Sequence, residues 1–193
     1  MFAARNLPMG SVVLSEDPTL KKDSNGNDDE YKIVRDFFKL PPEVQTRVLS
    51  LHDPTPENDN SIQHKLNRIL DFNSCRKSNF VQETITQNLY LTNSFINHSC
   101  DPNCCWKPSE ETDRMSVMTL VPIKKGEEFT VNYYFSIFDE RGNYCLTWKE
   151  RKEKISKHFA FDCLCNLCQK VKDEIVFMIF KFVLKTNICL ALG

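Results

Sequence analysis

The sequence predicts an α+β fold, in which a helical block precedes a set of short strands. Apolar residues recur at helical spacing through residues 31–72, and strand-like runs follow within residues 104–134. Separate blocks of helices and strands are typical of α+β proteins. Between the two blocks, residues 97–103 (NHSCDPN) form the chemically densest stretch of the chain.

The composition is that of an ordinary globular chain. Its 193 residues allow one domain of good size, or one domain plus a fragment, and apolar side chains make up 41% of them, which is enough for a core. A formal net charge of −1 gives no support for nucleic-acid binding as a property of the whole chain, so we expect no direct nucleic-acid partner. The mostly basic run at residues 149–158 is interpreted as a solvated helix face, with attraction to an acidic partner as the alternative.

Cysteine usage indicates the compartment. The chain has nine cysteines, an odd number, and its first residues lack the basic region and apolar run of a secretory signal. We therefore expect an intracellular, reducing location, in the nucleus and/or the cytoplasm. In such a setting clustered cysteines are more often metal ligands than disulfides.

The helical block contains three segments. The first ends at Pro41-Pro42, where a second begins with proline in its first turn. Ser61 is the expected N-cap of the third. The apolar positions, which we interpret as core packing and not as a ligand site, are Tyr31, Val34, Phe37, Phe38, Val44, Val48, Leu51, Ile62, Leu66, Ile69 and Leu70.

Strands are predicted on both sides of this block. Residues 109–114 are polar and predict the loop of a long hairpin. The predicted strands are residues 11–15, 88–95, 104–107, 115–121 and 129–134, and a charged helix is predicted at 146–158.

The tail, residues 175–193, is strongly apolar. Lys181 and Lys185 interrupt it, so it has no continuous apolar span of ~18 residues that would indicate a membrane helix. We interpret it as a core-facing helix, with a membrane anchor or an artefact of where the chain ends as alternatives. We expect no membrane partner and a monomer.

Residues 97–103 predict a fixed loop that presents side chains. Asn, Asp and Ser side chains favour local hydrogen bonds to the backbone, and Pro102 holds Asp101 out of the helical region. The loop also contains a thiol, Cys100, which has to be explained together with the cysteines near the other end of the chain.

Cys163, Cys165 and Cys168 have the spacing C-x-C-x-x-C and predict a metal site. Zinc favours four ligands in tetrahedral geometry, so a distant fourth ligand is required. Cys100 is the first choice because it lies in the rigid polar loop, and Cys104 and Cys105 are close competitors. Buried free thiols and an incomplete remnant of a site are the alternatives.

Three segments resemble those of one family. Residues 95–103 (FINHSCDPN) match the signature motif of SET-domain protein lysine methyltransferases, and residues 126–133 (GEEFTVNY) resemble the second SET motif. Residues 161–168 resemble the cysteine-rich post-SET segment. The opening, residues 2–20, resembles that of the SET and MYND, or SMYD-like, group.

The resemblance implies a SET-domain fold of small twisted β-sheets with a pseudoknot, in which the strand at Tyr133 threads beneath the loop 97–103. It also implies a helical insertion and a post-SET zinc site. The expected domains are first SET strands at 1–20 (N-terminally incomplete), a helical insertion at 21–87, a SET core at 88–134, a linker helix and post-SET zinc segment at 135–170, and an apolar C-terminal tail at 171–193.

The resemblance implies an S-adenosylmethionine-dependent protein-lysine N-methyltransferase, acting on a histone tail or another protein. Tyr133 would be the catalytic tyrosine, and Asn97 and His98 would contact the cofactor. Phe161 would pack on the adenine, and Asn73 is matched to a cofactor-contacting asparagine. The implied zinc ligands are Cys100, Cys163, Cys165 and Cys168.

These residue types suit the chemistry. Methyl transfer from a sulfonium is a direct displacement, in which the cofactor carries the reactive group and the protein supplies position and electrostatics. The attacking amine must be neutral, and an apolar aromatic channel lowers the pKa of lysine from about 10.4. A tyrosine hydroxyl can then hold the amine in line.

Departures from the family pattern define the alternatives. The family's Gly-x-Gly turn lies just upstream of the Phe-Ala-Ala-Arg segment, and this chain begins at Met1-Phe2. Residues 21–87 contain one cysteine, Cys75, so they hold no MYND zinc finger. Phe159 stands where some relatives have a second channel tyrosine, which would affect the number of methyl groups added. The alternatives to an active enzyme are a catalytically inactive SET-derived interaction protein and a truncated form of an active enzyme.

Overall fold

The computed structural model divides the chain into two compact units. The split unit comprises Met1–Ser15 and Phe95–Gly193, and the helical unit comprises Glu16–Ser94. The residues that the structure describes are 1–23, 31–54, 61–79, 84–109, 111–134 and 147–170. The apolar tail therefore lies outside the described residues, and its interpretation as a core-facing helix stays a prediction.

Eight strands and five helices are described. The strands are β1 (Val12–Glu16), β2 (Leu20–Asp23), β3 (Cys75–Asn79), β4 (Thr84–Leu89), β5 (Asn97–His98), β6 (Cys104–Pro108), β7 (Met115–Thr119) and β8 (Thr130–Val131). The helices are α1 (Lys32–Phe38), α2 (Pro42–Leu49), α3 (Ile62–Asn73), α4 (Trp148–Phe159) and α5 (Asn166–Lys170), and a 3₁₀ turn covers Asn93–Phe95.

The three helices predicted for the helical unit are present. Pro42 occupies the first turn of α2, and the Ser61 hydroxyl accepts a hydrogen bond from the His64 N–H at 3.3 Å as the N-cap of α3. Most of the predicted stripe positions face one apolar core. Its buried members are Leu20, Ile33, Phe37, Val48, Leu51, Leu66, Ile69, Leu70, Leu89 and Leu91. The prediction is wrong for Tyr31 and Phe38, which lie at the two ends of α1 and are exposed.

The helical unit also contains a three-stranded antiparallel sheet in the order β2-β4-β3, which the sequence did not predict. The predicted strand at 88–95 is wrong in its bounds, because β4 ends at Leu89 and a 3₁₀ turn follows. The cause is local. The Glu16 carboxylate accepts hydrogen bonds from the backbone N–H groups of Thr92 and Asn93, at 3.1 and 2.7 Å, and so holds the chain in a turn.

The split unit has two small sheets. In the first, β6 and β7 form the predicted long hairpin, with register from Cys104↔Thr119 to Pro108↔Met115, and β1 joins at the other side of β7. The second sheet pairs β5 with β8 in parallel. Two isolated bridges, Phe2↔Glu128 and Leu7↔Ile123, attach the first residues of the chain to the segment before β8.

The predicted charged helix is α4, which begins with a capping box. The Thr147 hydroxyl accepts from the Glu150 N–H, and the Glu150 carboxylate accepts from the Thr147 N–H. The helix ends at Phe159, and the capping residue that follows, Ala160, has a left-handed backbone with φ of 55°. This turn separates Phe159 from Phe161, and both rings come to lie near Tyr133.

Among the described residues, no helix combines the length and the apolar composition that crossing a membrane requires.

Candidate active site and cysteine cluster

The signature loop, residues 95–103, is hydrogen-bonded to β8, the strand that leads to Tyr133. Asn103 accepts hydrogen bonds at Oδ1 from the N–H and the hydroxyl of Thr130, at 2.8 and 3.2 Å, and donates from Nδ2 to the Glu128 carbonyl at 2.7 Å. At the other end of the loop, Ser99 N–H donates to the Val131 carbonyl. One asparagine therefore satisfies three polar groups of the neighbouring segment, and the loop has a fixed position over β8.

Tyr133 lies in an aromatic cluster just beyond β8. Its ring stacks on Trp106 with an interplanar angle of 5° and a centroid distance of 6.2 Å, and it contacts Phe159 at 5.1 Å and Phe161 at 6.4 Å. The hydroxyl donates to the Ile96 carbonyl at 2.8 Å. The predicted site residues Tyr133 and Phe161 are thus brought together beside the signature loop.

Burial raises the pKa of Tyr133 to about 12, and the nearby charge of Glu128 adds to the effect. The phenol is therefore protonated at neutral pH. With its proton directed to the Ile96 carbonyl, the oxygen keeps lone pairs that can accept a hydrogen bond from another group.

Two polar atoms in the aromatic cluster are buried without a hydrogen-bond partner among the described residues. They are the Trp106 indole nitrogen and the Tyr134 hydroxyl oxygen. Burial raises the pKa of Tyr134 as well. Buried polar atoms of this kind need a hydrogen-bond partner, which a water molecule or a bound polar group can supply.

Asn97, the first residue of β5, is exposed, and its Nδ2 donates to the Glu128 carboxylate at 2.6 Å. This bond uses the donor side of the amide and fixes the direction of its acceptor oxygen. Glu128 therefore lies close to both Asn97 and Tyr133, although the sequence analysis did not single it out.

His98 uses both ring nitrogens within the protein. Nδ1 accepts from the Tyr133 N–H at 3.1 Å, and Nε2 lies 3.4 Å from the Cys100 sulfur. Any contact that His98 makes with a cofactor would therefore come from its backbone or its ring carbons. The predicted cofactor contact stays a prediction.

The four cysteines of the predicted metal site converge. The Sγ atoms of Cys100, Cys163, Cys165 and Cys168 all lie within 4.8 Å of one another. Cys100 Sγ is 3.9 Å from that of Cys163 and 3.5 Å from that of Cys168. Tetrahedral zinc with Zn–S bonds of about 2.3 Å requires sulfurs roughly 3.8 Å apart, so the donor set fits zinc in number, chemistry and spacing.

Hydrogen bonding among the thiols divides their proton affinities. The hydrogen bond from Cys100 lowers the pKa of Cys163, and it lowers that of Cys165 to about 5. Cys163 and Cys165 therefore lose their protons readily, whereas the hydrogen bond to Cys163 raises the pKa of Cys100. A metal ligand needs the thiolate form. The cluster packs around the buried Ile155 of α4, and the Trp148 indole N–H donates to the Cys168 carbonyl at 2.8 Å.

The two competitors for the fourth ligand lie elsewhere. Cys104 is buried in the core of the split unit, and burial raises its pKa to about 12. Cys105 packs against Met118 and Leu120. Of the three candidates, Cys100 is the one that the structure brings to the cluster.

Asn73 belongs to the helical unit, where it is the last residue of α3. Its Nδ2 donates to the carbonyls of His52 and Ile69, each at 2.8 Å, so the amide helps to end the helix. Its contact with a cofactor stays a prediction.

Sequence reasoning missed several residues that build this site. Asn103 was inside the signature motif, and its position after Pro102 was the available signal. Glu128, Trp106 and Tyr134 had no separate signal, because only the three-dimensional pairing places them beside Tyr133.

The family model for the SET domain matches residues 1–134. The chain belongs to the SET domain family. That family includes histone-lysine methyltransferases, and among its members this SET chain is similar to SET and MYND proteins.

Individual relatives are similar over part of their length. A SET and MYND domain-containing protein of Dictyostelium discoideum is 34% identical over 86 residues, which cover 45% of this chain and 15% of the relative. Histone-lysine N-methyltransferase SMYD1 of Homo sapiens is 33% identical over 92 residues, which cover 42% of this chain and 17% of the relative. Putative SET domain-containing protein L678 of Acanthamoeba polyphaga mimivirus is 26% identical over 197 residues, covering 87% and 72%. The matched part of the chain spans about a fifth or less of the length of its relatives from Dictyostelium discoideum and Yarrowia lipolytica.

Proposed function

We propose that this SET chain is an S-adenosylmethionine-dependent protein-lysine N-methyltransferase with a zinc-stabilised site. The observation that carries the proposal is the position of Tyr133. Its protonated hydroxyl lies against the backbone of the signature loop, inside an aromatic cluster that holds unpaired polar atoms. Family membership and the histone-lysine methyltransferases among the relatives support the same conclusion.

The residues present fit the cofactor in type. Asn97 has a directed acceptor oxygen, and Phe161 offers a half-buried ring beside Tyr133. These two residues, with the backbone of His98, would hold the cofactor, as would Asn73 by family resemblance. When bound, the cofactor supplies the methyl group as part of a sulfonium.

The chain's own residues would prepare the lysine amine. The rings of Trp106, Phe159 and Phe161 around Tyr133 exclude water, and desolvation favours the neutral, nucleophilic amine. The Tyr133 oxygen would accept a hydrogen bond from this amine and so direct its lone pair. With a pKa of about 12, Tyr133 acts as a positioning hydroxyl and not as a general base at neutral pH.

Phe159 would influence how many methyl groups are added. It lies 5.1 Å from Tyr133 and has no hydroxyl to hold a water molecule or an amine proton. The substrate would be a histone tail or another protein lysine. We further propose that the protein acts as a monomer in the nucleus and/or the cytoplasm, with neither nucleic acid nor a membrane as a direct partner.

The Cys100, Cys163, Cys165 and Cys168 thiolates would hold zinc. The metal would join the signature loop, which contains Cys100, to the segment after α4, which contains the other three ligands. It would therefore act structurally, with all four positions taken by sulfur.

The test is methyl transfer by the purified protein to histone and peptide lysines, together with calorimetric titration of S-adenosylmethionine. Tyr133→Phe should lower kcat by more than about tenfold, because the positioning hydroxyl is lost. Tyr31→Phe, at an exposed position of the helical unit, is the matched control and should leave the rate unchanged.

Two results would contradict the proposal. Activity unchanged in Tyr133→Phe would remove the assigned role. No detectable cofactor binding by the wild-type chain would favour the alternative, a SET-derived interaction protein.

A further inference from the structure

The His98 ring lies between two parts of the proposed site. On one side its Nδ1 accepts a hydrogen bond from the Tyr133 N–H at 3.1 Å. On the other side its Nε2 is 3.4 Å from the Cys100 sulfur. The ring is packed by Tyr133 at 5.2 Å, Phe161 at 6.2 Å and Tyr134 at 6.4 Å, so its plane is fixed.

These partners assign the tautomer. A backbone N–H can only donate, so the Nδ1 facing Tyr133 must be the unprotonated nitrogen. In the neutral ring the proton is then on Nε2, which faces Cys100. When a bound metal replaces the Cys100 proton, the sulfur is a thiolate, and this N–H···S hydrogen bond is charge-assisted and therefore stronger than a neutral one.

We propose that His98 is a positioning residue that connects the Cys100 thiolate of the metal site to the main chain of Tyr133. The assignment of Tyr133 to catalysis rests on the proposed function, whereas the connection itself does not. Groups that hydrogen-bond to a metal ligand commonly orient it and alter metal affinity. Here that same ring also fixes the residue whose hydroxyl enters the aromatic cluster.

The connection has a direct consequence. When metal holds the Cys100 sulfur, the ring is held from both sides and the Tyr133 backbone is fixed. When metal is removed, the sulfur is free to move, the ring loses one anchor, and the Tyr133 N–H opens more often. Metal occupancy would thus be transmitted to the proposed catalytic tyrosine through one side chain.

Two amide substitutions separate the two hydrogen bonds. In His98→Asn the side-chain oxygen can occupy the place of Nδ1 and accept from Tyr133, but nothing reaches Cys100. In His98→Gln the longer side chain can place an N–H donor near the Nε2 position toward Cys100, but the acceptor at the Nδ1 position is lost. The two variants are therefore matched controls for each other.

The first experiment measures metal binding by the full chain, with cobalt(II) in place of zinc. His98→Asn should shift the sulfur-to-cobalt charge-transfer band and weaken cobalt affinity by about tenfold. His98→Gln should keep the band and stay within about threefold of the wild-type affinity.

The second experiment measures hydrogen exchange of the Tyr133 amide by NMR. His98→Gln should raise the exchange rate by about tenfold, and His98→Asn should change it much less. Chelation of the metal should raise this rate in the wild type and should add little in His98→Asn, where the connection is already broken. If methyl transfer is measurable, His98→Gln should lower kcat with little change in KM.

The proposal is overturned if both variants change metal affinity and Tyr133 exchange to the same degree, which would be the result of simple packing. If the variants fail to fold, the wild type decides. Equal exchange of the Tyr133 amide with and without metal would overturn the connection. Neither the cobalt measurement nor the exchange measurement needs methyl transfer. If both give the expected results in a chain without activity, the proposed function alone is contradicted.

Discussion

The two units of this SET chain keep their structure in different ways. In the described part of the helical unit, three helices and a small sheet enclose an apolar core that contains ten buried side chains. The polar contacts of this unit lie beside that core, as in the Arg68–Asp53 pair with 3.0 Å between nitrogen and oxygen, or hold turns and helix ends, as in the Glu16 contact with the Asn93 N–H and the Ser61 cap of α3. Many apolar side chains of similar volume would preserve such a unit.

The site region of the split unit depends instead on a few polar or sulfur side chains that join distant parts of the chain. Asn103 binds Thr130, His98 binds Tyr133, and Cys100 meets Cys168. Each of these partners must have a particular donor, acceptor or metal ligand. The difference teaches that substitutions in the helical core should act on stability alone, while those at the polar and sulfur contacts of the split unit should also act on geometry or metal binding.

The largest effect is expected from removal of the metal site. Cys163→Ser should abolish zinc binding and methyl transfer, because one of four ligands is lost; structural zinc contributes about 10–16 kcal/mol of apparent binding free energy in zinc-finger peptides. Metal content by elemental analysis and amide exchange around residues 97–103 and 161–168 are the measurements.

Cys104→Ala is the matched control for Cys163→Ser. It also removes a buried sulfur of the split unit, but one that lies in the apolar core away from the cluster. It should lower stability and leave the zinc content unchanged. Loss of zinc in this control, or full zinc content in Cys163→Ser, would contradict the assignment of the ligands.

A core substitution in the helical unit should come next. Phe37 is 1% exposed and Phe38, its neighbour, is 61% exposed. Phe37→Ala should lower the free energy of unfolding by about 3–5 kcal/mol through lost burial and a cavity. Phe38→Ala should change it by less than about 0.5 kcal/mol.

Denaturant unfolding measures both phenylalanine variants. Phe37→Ala should keep its zinc in the absence of denaturant, because none of the four thiols belongs to this core. Equal destabilisation by the two variants would contradict the burial of Phe37.

Sequence reasoning succeeded where the signal was periodic or rested on a motif. The stripes through Phe37, Val48 and Leu66 predicted three helices because burial at helical spacing leaves a direct pattern. The hairpin of β6 and β7 followed from β-rich runs around a polar loop, and the spacing of the cysteines led to Cys100.

The failures have physical causes as well. β3 and β4 contain Arg, Lys, Asn and Gln, so their pairing with β2 leaves little apolar alternation to detect. The turn at Asn93 depends on Glu16, which is 77 residues away in the chain. Trp106 and Glu128 reach Tyr133 only through tertiary pairing, and no local pattern encodes that.

The third prediction concerns the polar fastening of the loop. Asn103→Ala leaves the Thr130 N–H and the Glu128 carbonyl without their side-chain partner in a half-buried place, so we expect a loss of about 1–3 kcal/mol. Thr130→Val removes the hydroxyl and keeps the N–H, so it should cost less, about 1 kcal/mol.

Thermal or denaturant unfolding compares the two variants, and exchange of the Thr130 amide locates the effect. A larger cost for Thr130→Val than for Asn103→Ala would show that packing of the strand, and not the asparagine bonds, holds the loop.

The smallest expected effect is on the ionisation of Tyr133. Burial is the larger cause of its pKa of about 12, and the Glu128 charge is the lesser one. Glu128→Gln should therefore lower this pKa by less than about one unit while keeping an acceptor for the Asn97 amide. Glu127→Gln is the control, because that carboxylate accepts from the Lys124 N–H and is no cause of the Tyr133 shift.

The measurement is the near-ultraviolet titration of tyrosinate, taken as the difference between each protein and its Tyr133→Phe counterpart. Because the folded pKa exceeds the ordinary value of about 10, the stabilising contribution of the protonated phenol is fully present below pH 10 and is lost as pH rises through 12. Glu128→Gln should move the upper end of this window downward, and Glu127→Gln should not. An equal shift in both would mean that Tyr133 senses only the net charge of the segment, and that the polar geometry around Glu128 is as replaceable as the surface of the helical unit.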